Sequence, residues 1–149
     1  NDPNSNNTPR RVAKAYVNDL WAGRYNGPPS ITGFPSDGYD GLVFEGGIPL
    51  TSMCSHHHQT INGKVHIGYI ASKDGTVVGL SKLNRIVEHF GRRGAIQEQL
   101  TVAIHHNCVS CRGVKHQGAS MKTSKLSGSF MDEDSARAEF YEFCKGYRC

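Results

Sequence analysis

The chain has 149 residues, enough for one domain with a real core, and 37% of them are hydrophobic. A formal net charge of +4 with eight neutral histidines suits an anionic small molecule as well as nucleic acid. The absence of any long Lys/Arg run argues against a nucleic-acid arm. No stretch reaches the roughly 18 apolar residues of a membrane span, and no signal-peptide pattern opens the chain, so a cytoplasmic protein without a membrane segment is expected.

Residues 1–7 are rich in Asn and are expected to fray. A helix is predicted from there to Gly23. Thr8 would cap it, Pro9 suits the first helical position, and Val12, Tyr16 and Leu20 form one apolar stripe. Residues 26–47 hold many Gly, Pro, Asp and Ser residues and read as loop. Strand patterns follow at Ile48–Met53 and Lys64–Ile70. Asn62-Gly63, the pair preferred in a type I′ turn, is the expected hairpin turn between them.

Leu83, Ile86, Val87 and Phe90 follow helical spacing, which predicts a helix from Ser81 to Phe90. Gln97-Glu98-Gln99-Leu100 opens a further helix. Residues His105 to Phe130 read as mostly extended, with turns at Gly113 and Gly118. Phe140, Phe143 and Cys144 mark a short C-terminal helix starting near Asp134 or Ser135. The pattern predicts one domain spanning 1–149, of class α+β, with antiparallel strands and helices packed on one face.

Five cysteines are present: Cys54, Cys108, Cys111, Cys144 and Cys149. An odd count without a secretory signal points to metal ligands or free thiols rather than disulfides. In the run Cys54-Ser55-His56-His57-His58, Cys54 and His57 are spaced so that a thiolate and an imidazole can reach one zinc ion from a turn. A third ligand comes from His106-Asn107-Cys108-Val109-Ser110-Cys111. Cys108 alone would leave an open, catalytic position; adding Cys111 would close a structural site. His56, His58, His105 and His106 surround the candidate ligands. Histidine suits proton transfer near neutrality. For His58 and His105 plain exposure on a polar loop is the expectation. Lys82 and Arg85, three apart, share one helix face, and Ser81 sits at that helix's start, where backbone N–H groups attract phosphate.

Several blocks in one order resemble the zinc-dependent GTP cyclohydrolase I family. Thr8-Pro9-Arg10-Arg11-Val12-Ala13-Lys14 resembles its TPxRVAK helix start. Thr51 to His57 resembles the SMCEHH motif, and Gly63 to Ile70 is similar to the strand that follows. Gly79 to Val87 looks like GLSKLARIV, Ile96 to Thr101 looks like VQERLT, and His106-Asn107-Cys108 before Arg112-Gly113-Val114 resembles the H-x-C…RGV block. The resemblance covers nearly the whole chain.

What the resemblance implies is specific. Cys54, His57 and Cys108 would hold zinc, with Cys111 left out. His56 and His106 would transfer protons. Gln97 and Glu98 would hold the guanine of GTP. Ser81, Lys82, Arg85 and Arg112 would bind the triphosphate, joined by Arg11 and Lys14 from a neighbouring subunit. The fold would be a tunnelling fold (T-fold) assembling into a multi-subunit barrel, a homodecamer in the family. The reaction would be hydrolysis at C8 of GTP with loss of formate, giving 7,8-dihydroneopterin triphosphate for folate, biopterin or deazaguanine synthesis. Two further readings are a relative that binds zinc and guanine nucleotide without turnover, and a structural zinc protein using Cys111. Ser55 stands where the family usually has Glu. Only Val102 to Asn107 lie between Thr101 and Cys108, where the family has a longer helix and half a strand.

Overall fold

The structure is a computed structural model. It describes residues 2–71, 73–104, 107–112, 120–124, 126 and 128–147, with backbone only for 107–112 and 120–124. Gly113 and Gly118, the expected turns, and the candidate His106 lie outside the described residues.

The Asn-rich start, expected to fray, contains a short 3-10 turn at Pro3–Ser5, where Asp2 accepts from Asn4 N and Ser5 Oγ. Helix α1 is Thr8–Ala15 and continues as a π-helical turn, Tyr16–Leu20, and a short α2, Ala22–Tyr25. Thr8 is the first helical residue rather than the cap: Asn7 precedes it in the left-handed region without a side-chain cap, and Thr8 Oγ1 donates to Ser5 O. The apolar stripe forms only in part. Tyr16 and Leu20 are half-buried, whereas Val12 is 47% exposed.

Strand β1, Gly33–Pro35, pairs with β4, Thr76–Val78, as a separate two-stranded sheet. The main sheet is antiparallel in the order β2-β3-β5-β6: β2 is Leu42–Met53, β3 Thr60–Ile70, β5 Asn107–Arg112 and β6 Ser120–Ser124. Two expectations are corrected here. The segment before Ile48 is strand from Leu42 onward, because a bulge between Glu45 and Ile48 lets the pairing pass Gly46-Gly47, with Gly47 at φ +75°. Asn62-Gly63 is not the hairpin turn. Asn62 pairs with Thr51 and Gly63 with Leu50, inside the ladder. The turn is made by Cys54–Gln59, where His58 at φ +53° supplies the left-handed residue.

Helices α3, Leu80–Gly91, and α4, Gln97–Ile104, stand where the spacing predicts them. They cover one face of the sheet. Ile48, Leu50, Val65 and Ile67 from β2 and β3 pack with Leu83, Val87, Leu100 and Ile104 in a buried cluster. Alternation along β3 sends Val65 and Ile67 to that face and His66 and Gly68 to the other. There α5, Ser129–Asp132, and α6, Asp134–Lys145, meet the sheet: Phe140 lies over Gly68 and edge-on to Phe44, and Phe130 packs on Phe140. The α+β class holds, but helices pack on both faces rather than one. Gly68 explains this, since a Cβ there would lie 2.6 Å from the Phe140 ring.

Candidate metal and nucleotide site

The Cys54–Gln59 turn is closed twice by backbone: Cys54 N–H donates to Gln59 O at 2.8 Å, and His58 N–H to Cys54 O at 3.0 Å. Cys54 is half-buried and His57 exposed, with the His56 and His57 rings 6.1 Å apart and nearly perpendicular. A thiol and an imidazole thus share one tight turn on the end of a rigid hairpin, a donor pair that fits zinc.

Past the end of α3 the chain returns to this turn. Ala95 pairs in parallel with Cys54 and donates its N–H to Met53 O at 3.2 Å. Two residues later α4 begins, so Gln97 and Glu98 start a helix directly beside the turn. Gln97 is 4% exposed and Glu98 is exposed. A cavity of about 450 Å³ opens next to Ala95, between Arg24, Phe90, Arg93, Gln99 and Leu100, and among the described residues none of the candidate site residues lines it.

The candidate phosphate-binding residues sit elsewhere. Gly91, at the C-terminal end of α3, packs against Leu50 and Thr51 near the turn. Ser81, Lys82 and Arg85 stand at the opposite end of that helix, roughly 9–15 Å along the axis from Gly91. Ser81 and Arg85 are exposed and Lys82 half-buried. Beside them Asn84 Nδ2 donates to Glu45 Oε1 at 2.6 Å, and burial pushes the Glu45 carboxyl above its ordinary value despite that bond. Arg11 and Lys14 are exposed on α1, with Arg11 donating to Asn4 O at 3.2 Å.

Strand β5 carries Cys108 opposite His66 and Cys111 opposite Gly63. Counted along β3 from Thr60 at the turn, the Cys108 rung lies roughly 20 Å away and the Cys111 rung roughly 10 Å. The Cys54–Ala95 bridge therefore joins the turn bearing Cys54 and His57 to the segment that starts the helix bearing Gln97 and Glu98, while the backbone of Cys108 pairs with His66, well along β3 from the turn. Among the described residues no three His, Cys, Asp or Glu side chains gather as a metal site. The cause is length: α4 starts at the turn and runs away from it, and β5 begins almost where α4 ends. Arg112, at the end of β5, is described by its backbone alone.

His58 is exposed, as expected, but it is not without partners: Nδ1 lies 3.1 Å from Tyr16 Oη and its ring 5.3 Å from that of Trp21. The signal available was the aromatic pair of Tyr16, which periodicity placed in a plain apolar stripe, and Trp21, which flanks that stripe.

Comparison with known proteins agrees with the motif pattern. A sequence model described as GTP cyclohydrolase I matches residues 1–105. The chain is 36% identical over 160 residues to GTP cyclohydrolase 1 of Corynebacterium glutamicum strain ATCC 13032, covering 94% of this chain and 81% of the relative. It is 39% identical to GTP cyclohydrolase 1 of Dehalococcoides mccartyi strain CBDB1 over 153 residues, covering 89% and 80%. It is 39% identical to the Aeromonas salmonicida protein of the same name over 160 residues, covering 93% and 72%. An alignment of 160 residues on a chain of 149 means that relatives carry residues with no counterpart here. With a family model spanning most of its length and relatives of this identity, the chain belongs to the GTP cyclohydrolase I family, as a shortened member.

Proposed function

We propose that this chain hydrolyses GTP at C8 of the guanine ring, releasing formate and yielding 7,8-dihydroneopterin triphosphate. The observation that carries the reading is the Cys54–Ala95 bridge. It ties the turn carrying Cys54 and His57 to the residue two before α4, which supports a site shared between that turn and Gln97 and Glu98.

Cys54, His57 and Cys108 would hold zinc, the last after β5 meets the turn in a different register. Bound zinc supplies Lewis acidity and an acidified water at neutral pH. Each remaining role falls to the protein. The Glu98 carboxylate accepts from the guanine N–H groups, and Gln97 completes the hydrogen bonding to the base. His56 and His106 deliver and remove protons at the imidazole nitrogens of the ring, making C8 more electrophilic and aiding the departure of formate. Ser81, Lys82, Arg85 and Arg112 bind the triphosphate, which is a handle supplying binding energy away from the reacting carbon.

Within one chain the phosphate-binding end of α3 points away from the turn. This supports a site shared between subunits of a homo-oligomer, with Arg11 and Lys14 reaching a neighbour's triphosphate. The T-fold barrel of the family, a single domain over 1–149, and a cytoplasmic role in pterin or folate synthesis belong to the same reading. No helix among the described residues is long and apolar enough to cross a membrane.

A second reading, nucleotide and zinc binding without turnover, is favoured by the distant Cys108 rung and by Ser55 in place of the usual Glu. Incubation with GTP separates the two. Formate and a pterin that fluoresces after oxidation are expected; tight GTP binding by a zinc-loaded sample with no formate would establish the second reading.

A further inference from the structure

We infer that His58, gripped by Tyr16 and Trp21, is a positioning residue that fixes the metal-binding turn against the N-terminal helix. The inference rests on the proposal that Cys54 and His57 hold zinc.

Three observations carry it. First, His58 is the residue that gives the turn its shape. Its φ of +53° is uncommon for a side chain larger than Gly, and its N–H closes the turn onto Cys54 O. Its neighbour His57 takes its direction from that backbone.

Second, the π-helical turn places the grip. In a regular α-helix, residues five apart point about 140° away from each other. Here Trp21 N–H donates to Tyr16 O at 2.8 Å, five residues back, and the wider turn brings both rings to one side. They stand edge-on with centroids 5.2 Å apart. His58 fits against both: Nδ1 is 3.1 Å from Tyr16 Oη, and its ring centre is 5.7 Å from Tyr16 and 5.3 Å from Trp21.

Third, Trp21 also touches the other half of the site. A Cβ on Gly94 would lie 2.3 Å from Trp21 Nε1, so the indole packs directly on that backbone, and Gly94 immediately precedes the residue bridged to Cys54. Arg24 closes the stack, its guanidinium 4.9 Å over the indole and donating to Gly94 O at 3.0 Å. Trp21 thus sits as a spacer between the metal turn and the segment leading to Gln97 and Glu98. Groups that orient a metal ligand without touching the metal commonly change metal affinity when altered.

The test is zinc affinity, measured by competition with a chromophoric chelator, for the parent protein, Tyr16→Phe, His58→Asn and the double variant. Tyr16→Phe keeps the ring and removes only the hydroxyl; Asn tolerates the left-handed backbone. Each single variant is expected to bind zinc roughly tenfold more weakly. The double variant should be no weaker than the weaker single. The absorption bands of the cobalt-loaded protein should shift in Tyr16→Phe, while the melting temperature of the chelated protein stays that of the parent. Unchanged affinity and cobalt spectrum in a parent that binds zinc would overturn the positioning role alone. So would losses that multiply in the double variant, or a melting temperature in Tyr16→Phe low enough to account for its loss. A parent that takes up no zinc overturns the metal reading, and this inference with it.

Discussion

Cys54 and Ala95 pair in parallel across the end of the sheet, and that one bridge ties the turn bearing the candidate metal ligands to the helix bearing Gln97 and Glu98. The turn proposed to hold the metal and the residues proposed to bind the base are therefore one mechanical unit, whereas the proposed third ligand, Cys108, is on β5, whose start lies close to the end of α4.

Metal content tests that division. Cys54→Ser and His57→Asn are each expected to lower bound zinc, measured by atomic emission on purified protein, to a small fraction of the parent's. Cys108→Ser should do the same and Cys111→Ser should leave zinc bound. The reverse result for the last two would make Cys111 the ligand, in line with its rung being nearer the turn.

Glu98→Gln keeps the size of the side chain and removes its charge. A hydrogen bond to a charged group contributes about 1.5–3 kcal/mol, so kcat/KM for GTP should fall roughly 10- to 150-fold per bond lost. Zinc content should stay at the parent value. Steady-state kinetics beside a metal assay checks both halves.

Arg85→Ala removes a cation far along α3 from the turn. Its effect is expected mainly on KM for GTP, with kcat within a few-fold of the parent. Because the proposed contact is to phosphate, added salt should raise the parent's KM more than the variant's.

Glu45 makes the chain less stable as pH rises. Burial raises its folded pKa above the ordinary 4.5, so its neutral form is favoured in the folded state. The stability is fully present below that unfolded value and is lost as pH climbs through the folded one. Glu45→Gln is expected to melt with the parent near pH 4 and above it at pH 7, read by thermal unfolding across that range.

Gly94→Ala should destabilise the chain by more than about 1 kcal/mol, since φ is +61° and the new Cβ would strike the Trp21 indole. Trp21 is the single tryptophan, so its fluorescence spectrum reports the displacement directly, alongside the loss in melting temperature.

Helix α3 was legible because Leu83, Ile86, Val87 and Phe90 recur at helical spacing and Leu83 and Val87 are buried in the fold, whereas in α6 Phe140 is buried but Phe143 is exposed. The hairpin turn was misread because Asn62-Gly63 carries strong local turn preference, yet Ile61 beside it is buried and holds the segment in the ladder. The second helical layer was invisible for a similar reason: nothing local in Gly68 announces that Phe140 will lie on it. In the candidate site, Cys54, His57, Gln97 and Glu98 were readable as motifs, and the Cys54–Ala95 bridge that joins their two segments is encoded by no motif. The position of Cys108 depended on chain length, which the sequence displayed, and on strand register, which it did not.

Hydrolysis at C8 is followed by NMR with GTP labelled with carbon-13 at that atom in the presence of zinc-loaded protein. The label is expected to leave the purine signal and appear in formate, and Glu98→Gln to slow this at unchanged zinc content. A label that stays in intact GTP, with zinc bound and GTP bound, would contradict hydrolysis at C8.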